Sequence, residues 1–274
     1  MRILFFFLLL AVTCRGSAEP LALDYAQRDE GALQLDLHLP ESSPDKLHPV
    51  ILWIHGGGWH RGSRNDIKIV SWLTEQDFAL VSIDYRLTGV SPFPAQLEDC
   101  RAALAWIREH GAEHQLDPSR IVVAGLSAGA HLATLLAVSL PEGSPPVQGI
   151  LHFFGPADFL QMARYARQPE DPLNQPESNL YQLLNGPLRE RLELAKEASP
   201  VTHLDAGDPP CLILVGDKDT LMTQRQCERL HDAALEAGIN ASLHLIPGAG
   251  HGGKEFSDPE RQTLILTFLQ SILP

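Results

Sequence analysis

The chain has 274 residues, 44% hydrophobic and 20% charged, with 34 acidic against 21 basic side chains and a formal net charge of −13. That composition suits a globular protein with one large core and speaks against repeat, collagen-like or disordered architectures. So acidic a chain has no electrostatic case for binding nucleic acid or anionic lipid, and its four cysteines match no zinc-site spacing.

The opening residues MRILFFFLLLAVTCRGSAEP combine Arg2, an apolar run from Ile3 to Val12 and the small residues Gly16-Ser17-Ala18. This reads as a secretory signal peptide over residues 1–18, with a domain over 19–274 exported to the periplasm or medium. The apolar run is too short for a bilayer span, which needs about 20 residues. No later segment is apolar enough either, so no stable membrane association is expected. Of the cysteines beyond this leader, Cys100, Cys211 and Cys227 fit small buried positions, with a Cys211–Cys227 bridge as the alternative.

Leu33, Leu35, Leu37 and Leu39 alternate with polar residues and, with LALDY before them, predict an antiparallel opening hairpin. PVILWI (49–54), ALVSID (79–84), RIVVAG (120–125), VQGILHFF (147–154) and CLILV (211–215) are continuous apolar runs, as expected of parallel strands covered on both faces. Helical spacing separates them: Leu97, Cys100, Leu104 and Ile107 share a face, as do Leu132, Leu135 and Leu136, and residues 224–237 and 259–272 read similarly. The alternation predicts an α/β protein with a mostly parallel, doubly wound sheet. Residues 156–210 break the rhythm with many prolines and no strand pattern. They predict a small helical cap insertion over the sheet's C-terminal edge, an ordinary long crossover being the alternative.

Two stretches carry chemistry. In Gly125-Leu126-Ser127-Ala128-Gly129 a serine sits between a strand and a helix with glycines two positions to either side, the pattern of a tight turn that exposes a nucleophilic hydroxyl. Such a serine needs a base and an acid that orients it. His251, in the glycine-rich loop PGAGHGG after a strand, is the expected base; His131 is expected to pack, and His231 and His244 to be structural or surface residues. Asp217 and Asp219, in the GDKD that follows CLILV, are both candidates for the acid. The other stretch, HGGGW (55–59), directly follows a core strand. Its glycines suit backbone N–H groups that must approach a developing oxyanion unobstructed, so Gly57 and Gly58, with Ala128, are the candidate oxyanion hole. Trp59 is expected to bind substrate by narrowing the cleft, which with the small insertion favours short acyl groups.

Together HGGGW, DYRL (84–87), PFPAQLED (92–99), LDPSRIVVAGLSAGAHLA (116–133), ASPVTH (198–203), PPCLILVGDKD (209–219) and PGAGHGG (247–253) resemble the α/β-hydrolase serine esterases, in particular the BD-FAE-like branch near acetylxylan and feruloyl esterases and the hormone-sensitive-lipase group. The resemblance runs from about Tyr25 to the C-terminus. It implies Ser127 as nucleophile, His251 as general base and Asp219, rather than Asp217, as the acid, with His55 bracing the oxyanion loop. It further implies hydrolysis of short-chain acyl esters of small molecules or plant polysaccharide without metal or cofactor. Leu126 stands where that branch often has His, and Leu221-Met222-Thr223 where Val-Pro usually follows the acid; both departures reshape the pocket. The competing readings are an arylformamidase-like amide hydrolase and a non-catalytic binding module on the same fold.

Overall fold

The structure is a computed structural model that describes residues 19–41, 46–221 and 223–273. The expected leader lies outside the described residues, as does Met222. Eight strands form one sheet in the order β1-β2-β4-β3-β5-β6-β7-β8. The hairpin predicted from the leucine alternation is β1 (Leu21–Arg28) and β2 (Gly31–His38), antiparallel to each other. β2 then pairs antiparallel with β4 (Ala79–Ile83). All remaining pairs, through β3 (His48–Ile54), β5 (Leu116–Leu126), β6 (Gly149–Phe153), β7 (Cys211–Gly216) and β8 (Ala241–Ile246), are parallel.

The continuous apolar runs explain this layout. Every residue of β4, β6 and β7 is buried, which requires cover on both faces and hence crossover helices between parallel strands. β8, at the edge, is half-buried along most of its length, with only Ile246 fully buried. Four long helices supply the cover: α1 (Ala95–His110), α2 (Ala128–Val138), α6 (Thr223–Glu236) and α7 (Pro259–Ile272). α2 is buried along its entire length, as its near absence of polar residues demands. α7 lies so close to β6 that a Cβ on Gly149 would meet Ile272 Cδ1 at 2.3 Å. The crossover between β3 and β4 is a short 3₁₀ turn (Ser71–Gln76).

Residues 156–210, where an insertion is expected, lie between β6 and β7 and hold the short helices α3 (Phe159–Ala163), α4 (Asn179–Leu184) and α5 (Leu192–Glu197) and no strand. Leu180, Leu183 and Leu184 are its buried anchor. Leu183 accepts a hydrogen bond from Phe93 N–H, fixing the insertion to the loop before α1. Cys100, Cys211 and Cys227 are free and buried, so the Cys211–Cys227 bridge is not made. Burial pushes all three thiols well above their ordinary pKa, which makes them inert apolar filler rather than nucleophiles.

Candidate active site

In a parallel sheet all strands deliver their following loops to one edge, so Ser127 after β5, Asp219 after β7, His251 after β8 and the glycine triplet after β3 arrive on the same side. Ser127 has φ 52° and ψ −118°, backbone that a non-glycine residue adopts only under strain. The strain is held by hydrogen bonds from Ser127 N–H to Phe153 O (2.8 Å) and from His131 N–H to Ser127 O (3.1 Å). The flanking glycines are there for closeness rather than flexibility. A Cβ on Gly129 would lie 2.0 Å from Ile54 O, and one on Gly125 would lie 2.4 Å from the Gly129 carbonyl. α2 can therefore start directly against the end of β3 only without side chains at both positions.

The loop after β8 brings His251 over the turn. Its Nε2 is 2.8 Å from Ser127 Oγ and its Nδ1 2.8 Å from Asp219 Oδ2. A carboxylate only accepts, so Nδ1 carries the ring proton and Nε2 is free to take the serine's. The Asp219 side chain is fully buried and its Oδ1 accepts from Leu221 N–H at 2.9 Å, while the His251 side chain is 25% exposed and meets the ring of Phe154 edge-on. Asp217 faces solvent, and its Oδ1 accepts from Gly248 N–H at 2.7 Å, tying the ends of β7 and β8 together. The structure thus joins Ser127, His251 and Asp219 in one hydrogen-bonded line and leaves Asp217 out of it.

The triplet loop has positive φ at Gly57 (101°) and Gly58 (60°), and Gly57 O receives the N–H groups of His60 and Arg61. Neither the Gly57 nor the Gly58 N–H donates to a backbone carbonyl among the described residues, and both glycines line the same cavity as Ser127. Ala128 opens α2, where the N–H has no partner within the helix and the helix dipole is positive. His55 is buried under this loop, stacked on Tyr85 at 4.3 Å, with Tyr85 Oη donating to His55 O at 3.1 Å. Burial lowers the His55 pKa, so its ring is neutral.

Trp59 does not line the cavity, contrary to the expectation from sequence. It is buried, with φ 63°, and its indole N–H donates to His131 Nδ1 at 3.2 Å while the ring packs against Phe159. A large apolar ring next to a cleft is stabilised more by filling the gap beneath the loop than by facing water. His131, expected only to pack, also joins three elements. Its Nε2 donates to Ala198 O of the insertion at 2.7 Å, so α2, the glycine loop and the insertion meet on one ring. Burial lowers its pKa to about 4, leaving it neutral near pH 7.

The cavity above Ser127 measures about 590 Å³. Leu126, Phe154 and Leu221 give it apolar walls, and Asn179, at the start of α4, reaches it from the insertion. A Cβ on Gly58 would lie 2.2 Å from the Asn179 amide nitrogen. Asn179 carries no local signal in the sequence; only the folding of the insertion over the glycine loop brings it here. Among the described residues no group of three or more His, Cys, Asp or Glu side chains is arranged to hold a metal ion.

Comparison with known proteins agrees with this architecture. The BD-FAE family model matches residues 35–234. Among curated proteins, Esterase LipC of Mycobacterium tuberculosis is 28% identical over 242 residues, covering 82% of this chain and 58% of the relative. The probable carboxylic ester hydrolase LipM of the same organism is 30% identical over 195 residues, covering 67% and 44%. The chain thus spans about half the length of the curated relatives it matches. Among solved structures, a truncated carbohydrate esterase from gut microbiota superposes with a TM-score of 0.77 at 26% identity, covering 93% of this chain and 97% of that one. A thermophilic esterase from Thermogutta terrifontis gives 0.74 at 25% identity, covering 94% of each. Fold, chain order and family model converge: the chain belongs to the BD-FAE family and is built on the α/β-hydrolase fold.

Proposed function

We propose that this protein is an exported serine carboxylesterase that hydrolyses short-chain acyl esters of small molecules or carbohydrates. The observation that carries the reading is the unbroken line from Asp219 through His251 to Ser127, with 2.8 Å on either side of the imidazole. Ser127 Oγ attacks the ester carbonyl carbon as its proton passes to His251 Nε2, and Asp219 stabilises the imidazolium that results. The charge developing on the carbonyl oxygen is met by the N–H groups of Gly57, Gly58 and Ala128, each such donor being worth about 2.7–4 kcal/mol of transition-state stabilisation. The imidazolium then protonates the departing alcohol. Water, deprotonated by the same nitrogen, attacks the acyl-serine and releases the acid. None of these steps calls on a metal or cofactor.

The similar proteins support the substrate class. One is named a carbohydrate esterase, and the Thermogutta terrifontis enzyme was solved with butyrate bound at 25% identity to this chain. Export rests on residues 1–18 alone. The test is Ser127→Ala assayed on p-nitrophenyl acetate. Alanine inherits the same strained backbone and removes only the hydroxyl, so the variant folds and turnover is abolished. Undiminished turnover in a folded Ser127→Ala protein refutes the nucleophile, and an inactive wild type on this ester refutes the esterase reading.

A further inference from the structure

The surface of this chain is dominated by carboxylates, yet the cavity above Ser127 is not. Its charged lining consists of Arg61, Lys68 and Lys254 against the single carboxylate of Asp66, in a chain with 34 acids and 21 bases. All three cations are exposed at the mouth and make no ion pair among the described residues. Nearby arginines behave differently: Arg64 pairs with Asp36 and Asp84, and Arg86 pairs with Asp99 and Glu98. Carboxylates are thus abundant on this fold and are engaged by cations such as Arg64 and Arg86, while those at the mouth, with Asp66 as the one acid in their lining, enter no ion pair among the described residues.

Two of the three are anchored on the loops of the reaction centre, and Lys68 lines the same cavity. Arg61 N–H donates to Gly57 O at 3.2 Å, and a Cβ on Gly57 would lie 2.1 Å from Arg61 O, so this cation rides on the glycine loop. Lys254 opens the short turn (Lys254–Ser257) that follows His251-Gly252-Gly253, so a second rides on the histidine loop. The Glu255 carboxylate lies against Gly253 on that turn and is the nearest acid to Lys254 in sequence, without pairing to it. A cleft lined by one sign of charge over low-dielectric walls concentrates ligands of the opposite sign and raises their association rate by about 10–10³.

On this basis, and resting on the esterase reading above, we propose that Arg61, Lys68 and Lys254 select esters whose alcohol portion carries a carboxylate, such as an acylated acidic sugar or hydroxy acid. The alcohol side is favoured because the cations sit at the open rim, where the bulk of a substrate protrudes once its acyl carbonyl reaches Ser127.

The experiment compares hydrolysis of 4-acetoxybenzoate and 4-acetoxybenzamide, which share acyl group and ring but differ in charge. It is run at low salt and at 1 M NaCl, in the wild type and in the Arg61→Gln/Lys68→Gln/Lys254→Gln triple variant. The expected kcat/KM ratio favours the carboxylate by about fivefold to tenfold at low salt, through KM, and falls toward unity in 1 M salt, where the Debye length is about 3 Å. It also collapses in the triple variant. A wild-type ratio at or below unity, with the amide readily turned over, overturns the proposal while leaving the esterase reading intact. So does a ratio unaffected by the triple substitution. A second pair, the p-nitrophenyl monoester of adipate and its methyl-capped form, places the charge on the acyl side; a preference confined to that pair overturns the assignment to the alcohol. Absence of turnover on every ester refutes the underlying esterase reading instead.

Discussion

Replacing Asp219 by Asn changes one atom and removes one charge, and the structure says what the chain must then choose. The native carboxylate is fully buried and accepts from two directions, His251 Nδ1–H at 2.8 Å and Leu221 N–H at 2.9 Å. An amide has one oxygen. If that oxygen stays on His251, the NH₂ group is forced against Leu221 N–H, and two buried donors facing each other cost about 1–3 kcal/mol. The cheaper arrangement keeps the oxygen on Leu221 N–H and turns NH₂ toward His251. The imidazole must then present an acceptor at Nδ1 and carry its proton on Nε2, the nitrogen that faces Ser127 Oγ at 2.8 Å. In that tautomer it cannot take the serine's proton. The same substitution in a serine protease triad lowers turnover by about 10⁴, equivalent to about 5.4 kcal/mol of barrier. Asp219→Asn is therefore expected to lose about four orders of magnitude in kcat on p-nitrophenyl acetate, with folding retained by circular dichroism. Asp217→Asn keeps an oxygen for Gly248 N–H at a solvent-exposed site, so its turnover stays close to wild type and its Tm falls by a few degrees at most. A severe loss confined to Asp217→Asn refutes the reasoning, as does an Asp219→Asn enzyme that keeps near-native turnover.

Other expectations follow from the same contacts. Gly129→Ala puts a methyl group 2.0 Å from Ile54 O and 2.5 Å from His55 O, both backbone atoms that cannot swing aside. Urea unfolding should show a loss of about 3 kcal/mol or more together with lost activity, whereas Gly89→Ala, with nothing within 4 Å, is near neutral. Burial holds His131 and His152 near pKa 4 against an ordinary 6.5. Below pH 6.5 the unfolded chain binds protons on these rings that the folded chain refuses until pH approaches 4, so stability is full above pH 6.5 and declines as pH falls, by about 2 kcal/mol per ring at pH 5. A Tm-against-pH curve flat from 7 to 5 contradicts this, as does a slope that His152→Gln leaves unchanged. On p-nitrophenyl esters of increasing length, acetate to butyrate should be preferred; a maximum at decanoate or beyond indicates a lipase-like pocket instead.

Much of this protein can be read from the order of its residues, and what can be read has a local cause. Strands such as CLILV and ALVSI announce themselves because a strand covered on both faces must be apolar throughout, and helix α1 because Leu97, Cys100, Leu104 and Ile107 recur at its period. Ser127 is visible because its turn needs glycines at 125 and 129, and His251 because it lies in a glycine-rich loop after a strand. The choice between Asp217 and Asp219 is different. Two residues apart in the same loop, they are distinguished in sequence only by resemblance, and it takes the fold to put one under the imidazole and the other on Gly248 N–H. The placement of Trp59 is hidden for a related reason: nothing local tells whether a ring beside a glycine loop faces the cleft or the core, and the partners that draw it inward, His131 and Phe159, lie 72 residues away or more. Asn179 and the cations of the rim belong with these cases. Their roles depend on which distant loops share one edge of the sheet, and that is decided by strand order and packing over the whole chain, not by any window of sequence.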